Sequence, residues 1–279
     1  MLRVRRILLP TDFSEATESA AQWAAWLAGQ LGAELVLLHV LEEDGDVYRS
    51  RGSFIRSELE RWRERFGGHR AEVRPGFPQE VIPEVCRELG ADLVCVGTHG
   101  RSGIRRVFFG SVAEQVVRTC PIPVLTVRPG TAPRLHRILV AMDFSPPAQQ
   151  ALMWARMLSA PANSEIVLLH VVELRPEVFA ALPEEILTPA VGERVREYLL
   201  DQAYRRLEAT ARPEERVEVR MGAAGHRILE AIPGLRVDLV CMGTHGRSGL
   251  AHLLLGSVAE QVVRQSPVPV LTVRETRTS

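Results

Sequence analysis

The sequence predicts an α/β fold in which two similar domains each form a parallel β-sheet with helices on both faces. Short apolar runs typical of buried strands alternate with longer segments of helical periodicity. The stretch 97–118 occurs again with few changes at 243–264. Between 92–128 and 238–274, 27 of 37 aligned residues are identical, so we expect one domain to be present twice.

Length and composition are those of a globular protein with two domains of ordinary size. The chain has 279 residues, 46% of them hydrophobic and 24% charged, and a formal net charge of +0. This balance favours neither nucleic acid nor an anionic membrane as a partner. No apolar run reaches the roughly 20 residues of a membrane span, and the N-terminus is basic but its apolar stretch is too short for the hydrophobic region of a secretory signal. We expect a cytoplasmic protein with domains at 1–130 and 135–275.

The first half reads as alternating strands and helices. Ser14 is a predicted N-cap, apolar residues then follow at helical spacing, and Gly32 is the predicted stop of the first helix. The expected strands are Ile7–Pro10, Leu35–Val40, Ala71–Arg74, Leu93–Gly97 and Val124–Val127. The further helices are expected at Glu58–Phe66, Gln79–Leu89 and Ser111–Arg118.

The basic segment 49–65 looks at first like a nucleic-acid patch. Its charges, however, have the spacing of helical ion pairs, at Arg56/Glu60, Glu60/Arg63 and Arg61/Glu64. A solvated helix face is therefore expected there.

The second half repeats this order. Its matching strands are expected at Ile138–Ala141, Ile166–Val171, Leu239–Gly243 and Val270–Val273. The second copy carries 15 extra residues between its second and fourth strands. We expect the region 174–195 to hold them as an added turn or helix.

A glycine loop follows the fourth strand of each half. It reads Gly97-Thr98-His99-Gly100, nine residues, then Gly110-Ser111, and in the second copy Gly243-Thr244-His245-Gly246, nine residues, then Gly256-Ser257. Glycines let backbone N–H groups approach an anion, and a helix start favours phosphate. The sequence Ser-Val-Ala-Glu that opens each final helix is also a capping box, with serine as N-cap. The two interpretations are compatible.

An aspartate lies just past the first strand of each half, Asp12 in the first and Asp143 in the second. Ligands of open α/β sheets bind at the carboxyl ends of strands where the strand order reverses. An aspartate there can accept hydrogen bonds from a ribose or base, or hold Mg²⁺ through water. The alternative is an Asx turn or N-cap that only begins the next helix.

The residue inventory argues against several chemistries. All 34 basic residues are arginine, which excludes a P-loop lysine, a Schiff-base lysine and a lysine base. No serine or cysteine nucleophile with a partnered base is evident, so we predict no catalytic residue. The four cysteines form no C-x-x-C pair and no zinc spacing, and we expect Cys95 and Cys241, which lie in apolar strands, to be inert core thiols.

These motifs resemble the universal stress protein family in its tandem form, over nearly the whole chain. The resemblance implies a flavodoxin- or Rossmann-like sheet of order 3-2-1-4-5 in each half and one ATP per half. It implies loop contacts to ribose and phosphate from Gly97, Thr98, His99, Gly100, Arg101, Gly110, Ser111 and Val112, and from Gly243, Thr244, His245, Gly246, Arg247, Gly256, Ser257 and Val258. It places Pro10, Thr11, Asp12, Ala141, Met142 and Asp143 near the nucleoside, and the backbones of Val40 and Val171 on adenine.

The same resemblance implies an ATP-dependent stress sensor or regulator. A slow Mg²⁺-dependent ATPase and a partner-binding module with vestigial sites stay open as alternatives. The last strands should pair within the chain as a pseudo-dimer, and further homodimerisation stays open. Ala141-Met142 replaces Pro10-Thr11, and Ala251-His252 replaces Arg105-Arg106. We therefore expect both sites to bind and the second to be weaker.

Overall fold

The computed structural model describes residues 3–41, 45–98, 110–173, 189–245 and 255–274. The strands are β1 (Arg6–Pro10), β2 (Glu34–Leu41), β3 (Arg70–Pro75), β4 (Leu93–Gly97), β5 (Val124–Val127), β6 (Arg137–Ala141), β7 (Glu165–Val172), β8 (Arg216–Met221), β9 (Leu239–Gly243) and β10 (Val270–Val273). The helices are α1 (Glu15–Leu31), α2 (Gly45–Arg65), α3 (Pro78–Leu89), α4 (Ser111–Thr119), α5 (Pro146–Ala162), α6 (Pro189–Glu208), α7 (Ala224–Leu235) and α8 (Ser257–Gln265).

All ten of these strands form one sheet. Their order is β3-β2-β1-β4-β5-β10-β9-β6-β7-β8. Each half has the implied order 3-2-1-4-5 with parallel neighbours, and the two halves meet where β5 pairs antiparallel with β10. The α/β prediction and the predicted pairing of the last strands are confirmed.

Strand residues alternate between two hydrophobic cores. In β1, Ile7 and Leu9 face one core and Leu8 faces the other, because successive side chains point to opposite faces of a sheet. Helices α1, α2, α5 and α6 cover the first face, and α3, α4, α7 and α8 cover the second. Because α1 contacts α5, the first core runs through both halves without a break.

The helix ends follow the sequence signals in α1. Ser14 accepts from the N–H of Thr17 at its start, and Gly32 adopts a left-handed φ of 62° at its end. The charged helix α2 is longer than predicted. Glu60 pairs with Arg63 as expected, but Arg61 pairs with Glu58 one turn earlier and not with Glu64.

Of the predicted extra segment 174–195, residues 174–188 lie outside the described ranges and the remainder belongs to α6. No helix within the described ranges has the length and apolar character needed to cross a bilayer.

The junction between the halves is nearly symmetric. Leu125 faces Leu271 in the register of β5 and β10. The hydroxyl of Thr126 donates to the carbonyl of Val270 at 3.1 Å. We call this junction, β5 with β10, the seam.

The flanks of the seam are held by crossed charges. Arg264 of α8 pairs with Glu114 of α4 at 2.9 Å, and Arg118 pairs with Glu260 at 3.4 Å. The pairing therefore joins helices as well as strands of the two halves.

Candidate functional site

Each half has a pocket at the carboxyl ends of its central strands. There the helices that follow two neighbouring strands, β1 and β4 or β6 and β9, lie on opposite faces of the sheet. The first cavity has a volume of about 190 Å³ and the second about 290 Å³. Residues lining the first are Pro10, Thr11, Asp12, Thr17, Leu38, His39, Val40, Pro78, Ile82, Val96, Gly97, Gly110, Ser111, Val112 and Ala113. Residues lining the second are Ala141, Met142, Asp143, Leu169, His170, Val171, Glu173, Ala224, Ile228, Met242, Gly243, Thr244, His245, Gly256, Ser257, Val258 and Ala259.

The aspartate of each pocket is fixed by its own turn. Oδ1 of Asp12 accepts from the N–H of Ser14 at 3.0 Å and from the hydroxyl of Thr17 at 2.6 Å. Oδ1 of Asp143 accepts from the N–H and the hydroxyl of Ser145, at 2.9 and 2.5 Å. Both aspartates therefore form the Asx turn that the sequence offered as the alternative to a ligand role. In the first pocket the carboxylate is also tied to helix α1.

The residue after each aspartate has a left-handed backbone. Phe13 has φ of 64° and Phe144 has φ of 66°, which is uncommon for a bulky residue. The Phe13 ring stacks on His39 at 4.7 Å, and Nδ1 of His39 bonds to the carbonyl of Thr11 at 2.7 Å. His170 makes the matching bond to the carbonyl of Met142 at 2.6 Å. These histidines hold the loop that presents the aspartate.

The loop also uses the hydroxyl of Thr11. Its Oγ1 accepts from the N–H of Phe13 at 3.0 Å, so this oxygen stabilises the turn. In the second half the side chain at this position, Met142, is buried in the core that α1 and α5 cover. The loss of the hydroxyl therefore changes how the loop is held.

The final helix of each half begins one residue earlier in register than the capping box requires. The N-cap of α4 is Gly110, whose carbonyl accepts from the N–H of Glu114 at 2.9 Å, and the N-cap of α8 is Gly256. Ser111 and Ser257 are already helical, so the prediction that they are N-caps is wrong. No side chain caps either N-cap position. The first-turn residues of both helices line the pockets, and their N–H groups have no capping side chain.

Packing against a neighbouring helix also requires glycine at positions 97 and 243. A Cβ on Gly97 would lie 2.8 Å from the carbonyl carbon and oxygen of Ala16. A Cβ on Gly243 would lie 2.8 Å from Cβ of Pro147. The close approach of α1 to β4, and of α5 to β9, requires these glycines independently of any ligand.

The backbone of Val40 faces the pocket for a reason of strand geometry. The N–H of Thr11 donates to the carbonyl of Leu38, so Leu38 directs its backbone groups toward β1. Backbone groups along a strand alternate in side, and Val40 therefore directs its own toward the space beyond the end of β1. The bond from Met142 to Leu169 gives the same orientation to Val171.

The structure brings most of the predicted site residues together. In the first half, all those within the described ranges line the pocket except Thr98, which is buried and whose carbonyl accepts from Gly110. In the second half, every predicted residue within the described ranges lines the pocket. His99, Gly100, Arg101, Gly246 and Arg247 lie outside the described residues.

Sequence reasoning missed several lining residues. Among them are His39 and His170, whose signal was the repeated Leu-Leu-His-Val at the ends of β2 and β7. It also missed Ile82 and Ile228, which line the pockets from the N-terminal halves of α3 and α7. Over the described ranges, no group of three or more His, Cys, Asp or Glu side chains could hold a metal ion.

The architecture is that of a tandem α/β protein with one pocket in each half, and the comparisons with known proteins give its family. The model of the universal stress protein family matches residues 3–128 and again 134–274, so the chain belongs to this family. The chain is 25% identical to universal stress protein Slr1230 of Synechocystis, covering 97% of this chain and all of that protein. It is 26% identical to universal stress protein Rv2005c of Mycobacterium tuberculosis, covering 96% and 97%.

A crystal structure gives the same result for the fold. A universal stress protein from Archaeoglobus fulgidus superposes with a TM-score of 0.71 at 25% identity, covering 98% of this chain and 99% of that one. Both halves are therefore matched together, and the tandem Rossmann-like fold expected from the sequence is confirmed.

Proposed function

We propose that this chain is an ATP-binding stress-response protein that binds one nucleotide in each half and acts as a sensor or regulator. The observation that carries the proposal is the convergence, in each pocket, of an uncapped helix start, a fixed aspartate and an inward-facing strand backbone. These three features match the three parts of a nucleotide.

The phosphates would bind at the starts of α4 and α8. Three N–H groups of a first turn have no partner within their helix, and the helix dipole adds positive potential there. The N–H groups at Ser111, Val112 and Ala113 belong to residues that line the first pocket. A polyphosphate satisfies these donors without a lysine.

The adenosine would bind between the aspartate loop and the second strand. The base fits among apolar side chains such as Ile82 and Val96, while the backbone of Val40 supplies polar contacts for its edge. Asp12 lies at the position where a ribose hydroxyl would donate to it. If Mg²⁺ accompanies the phosphates, Asp12 and Asp143 are the acidic groups that would hold it through water.

The two sites should differ in affinity. The first aspartate is tied to α1 through Thr17, whereas Ala148 occupies the matching position in the second half. The second cavity is also larger, at about 290 Å³ against about 190 Å³. A wider site encloses the same ligand less closely, so we propose that the second site is the weaker one.

The test is to denature the purified protein and identify the released nucleotide by chromatography, with its molar ratio to protein. Two molecules of ATP per chain support the proposal, and ADP favours the slow ATPase. If no nucleotide is released, titration with ATP by calorimetry decides. Absence of binding at millimolar ATP contradicts the proposal and leaves the vestigial module.

Matched variants assign the sites. Asp12→Asn keeps the Oδ1 acceptor of the turn but removes the charge, and Asp143→Asn does the same in the second pocket. Ser111→Glu places a negative charge in the first turn of α4, where it favours the helix but repels phosphate. Ser111→Gln is its uncharged control. Each aspartate variant should lose binding at its own pocket only, and Ser111→Glu should lose the first site without losing stability.

A further inference from the structure

Two of the four cysteines are in contact in the core of the first half. Sγ of Cys120 lies 3.7 Å from Sγ of Cys86, and both side chains are buried. Cys86 is in the last turns of α3, and Cys120 is the residue that ends α4. A disulfide bond is about 2.05 Å long, so the sulfurs need to approach by only about 1.7 Å.

Their surroundings make the two thiols unequal. The hydrogen bond with Cys120, followed by burial, raises the pKa of Cys86. The same hydrogen bond lowers the pKa of Cys120 against the opposing effect of burial. The N–H of Ile122 and the positive charges of Arg274 and Arg87 also favour the Cys120 thiolate. Cys120 is therefore the thiol that ionises first, with Cys86 beside it as a neutral thiol.

The other two cysteines have a different environment. Cys95 and Cys241 are buried in the strands β4 and β9, and burial raises the pKa of both. The second half also has no thiol pair at the matching place. Ile232 and Ser266 occupy the positions of Cys86 and Cys120, and the hydroxyl of Ser266 donates to the carbonyl of Val268.

We propose that Cys86 and Cys120 are a peroxide-responsive thiol pair that closes to a disulfide. The Cys120 thiolate attacks one oxygen of hydrogen peroxide, the O–O bond breaks, and the leaving hydroxide takes up a proton to become water. Cys86 then attacks the sulfur of the resulting sulfenic acid, the S–O bond breaks, and a second water leaves with the proton of Cys86. In sum, two thiols are oxidised to one disulfide and one peroxide is reduced to two waters.

The bond would tie α3 to α4. On α4, Ser111 lines the first pocket about 13 Å before Cys120, and on α3, Ile82 lines it one turn, about 6 Å, before Cys86. Oxidation should therefore alter nucleotide affinity in the first pocket and not in the second. This consequence rests on the proposed nucleotide function, whereas the formation of the bond does not.

The test exposes the reduced full-length chain to hydrogen peroxide, alkylates the remaining thiols after denaturation and maps the tryptic peptides. Cleavage after arginine, except before proline, places Cys86 in peptide 71–87 and Cys120 in peptide 119–134. We expect these two peptides to be linked and Cys95 and Cys241 to stay alkylated. Four alkylated thiols, a different linked pair, or links only between chains would overturn the proposal.

Two variants copy the second half and should therefore fold. Cys120→Ser corresponds to Ser266, and Cys86→Ile corresponds to Ile232. Cys120→Ser should protect Cys86 from peroxide, and Cys86→Ile should leave a Cys120 sulfenic acid that dimedone traps. Equal loss of Cys86 with and without Cys120 overturns the assigned order of attack.

The coupling to the pocket has its own measurement. Asp143→Asn and Asp12→Asn chains, each with one site, are titrated with ATP before and after oxidation. A change in affinity only in the Asp143→Asn chain supports the coupling, and no change in that chain overturns it. If the peptide map shows the disulfide but the ATP affinity is unchanged, only the coupling fails. If the reduced chains do not bind ATP, the proposed function fails instead.

Discussion

Substituting Gly97 by alanine separates the packing role of this glycine from a role in binding phosphate. The new Cβ would lie 2.8 Å from the carbonyl group of Ala16 and 3.0 Å from the N of Thr17, where ordinary contact begins at 3.4 Å. These are backbone atoms in the first turn of α1, so no side-chain rotation relieves the contact. The helix must retreat by about 0.6 Å from a core in which Ala20 and Ala24 are fully buried.

Overpacking of a core typically costs about 1–3 kcal/mol, and we expect about 2 kcal/mol for Gly97→Ala. In domains of this size each kcal/mol lowers the melting temperature by about 2–4 °C, so a fall of about 4–8 °C is expected in thermal unfolding. Gly29→Ala is the control, because its Cβ would meet no atom within 4 Å inside α1. That substitution should raise stability by about 1 kcal/mol.

Melting temperatures measured with and without ATP show whether packing or ligand binding requires glycine at position 97. If packing requires it, Gly97→Ala melts earlier both with and without ATP. An unchanged melting temperature without nucleotide would refute the packing argument and leave the ligand as the reason for glycine at this position.

Four other substitutions test the loop, the seam and an ion pair. Thr17→Ala removes the hydrogen bond at 2.6 Å to the first aspartate, and urea unfolding should show a loss of about 1.5 kcal/mol; a loss of zero would contradict its role. Thr126→Val and Thr272→Val each remove a hydroxyl bond across the seam and should each cost about 1 kcal/mol in the same assay, whereas an unchanged urea midpoint would count against these bonds. Burial raises the pKa of Glu215, but its bonds with Arg156 and with a backbone N–H outweigh burial and lower the pKa overall. This contribution is therefore present above the unfolded pKa near 4.5 and is lost as pH falls through the lower folded value, so Glu215→Gln should flatten the acid limb of a stability-against-pH profile.

The strands were predictable because apolar runs and repeats specify them almost alone. β4, β5, β9 and β10 begin and end at the predicted residues. Helix α2 was predicted too short because its first part is strongly polar, and periodicity of apolar residues gives no signal there. Helix α4 starts at Ser111 as predicted, but its N-cap was misplaced by one residue because serine with a glutamate three positions later fits a capping box, while glycine is also an acceptable N-cap.

Some residues of the candidate site were also predictable from the sequence and others were not. Asp12 and the glycines follow strands directly, so their place at the carboxyl edge follows from chain order. His39 was missed because its role depends on β2 lying beside β1, which brings it to the carbonyl of Thr11 across 28 residues of sequence. Thr17 was missed because a threonine in the first turn of a helix ordinarily needs no partner beyond the helix.

The seam has a further consequence for how the two halves stay together. Between two separate chains such strand pairing would depend on concentration and would be lost on dilution. Here only the residues between Val127 and Arg137 join the paired strand β5 to the second half, so the halves keep a high effective concentration for each other at any dilution. In a dimer of identical chains both halves have the same sequence, whereas two halves joined in one chain can differ. One chain therefore carries a thiol pair in one half and an isoleucine and a serine at the matching positions of the other.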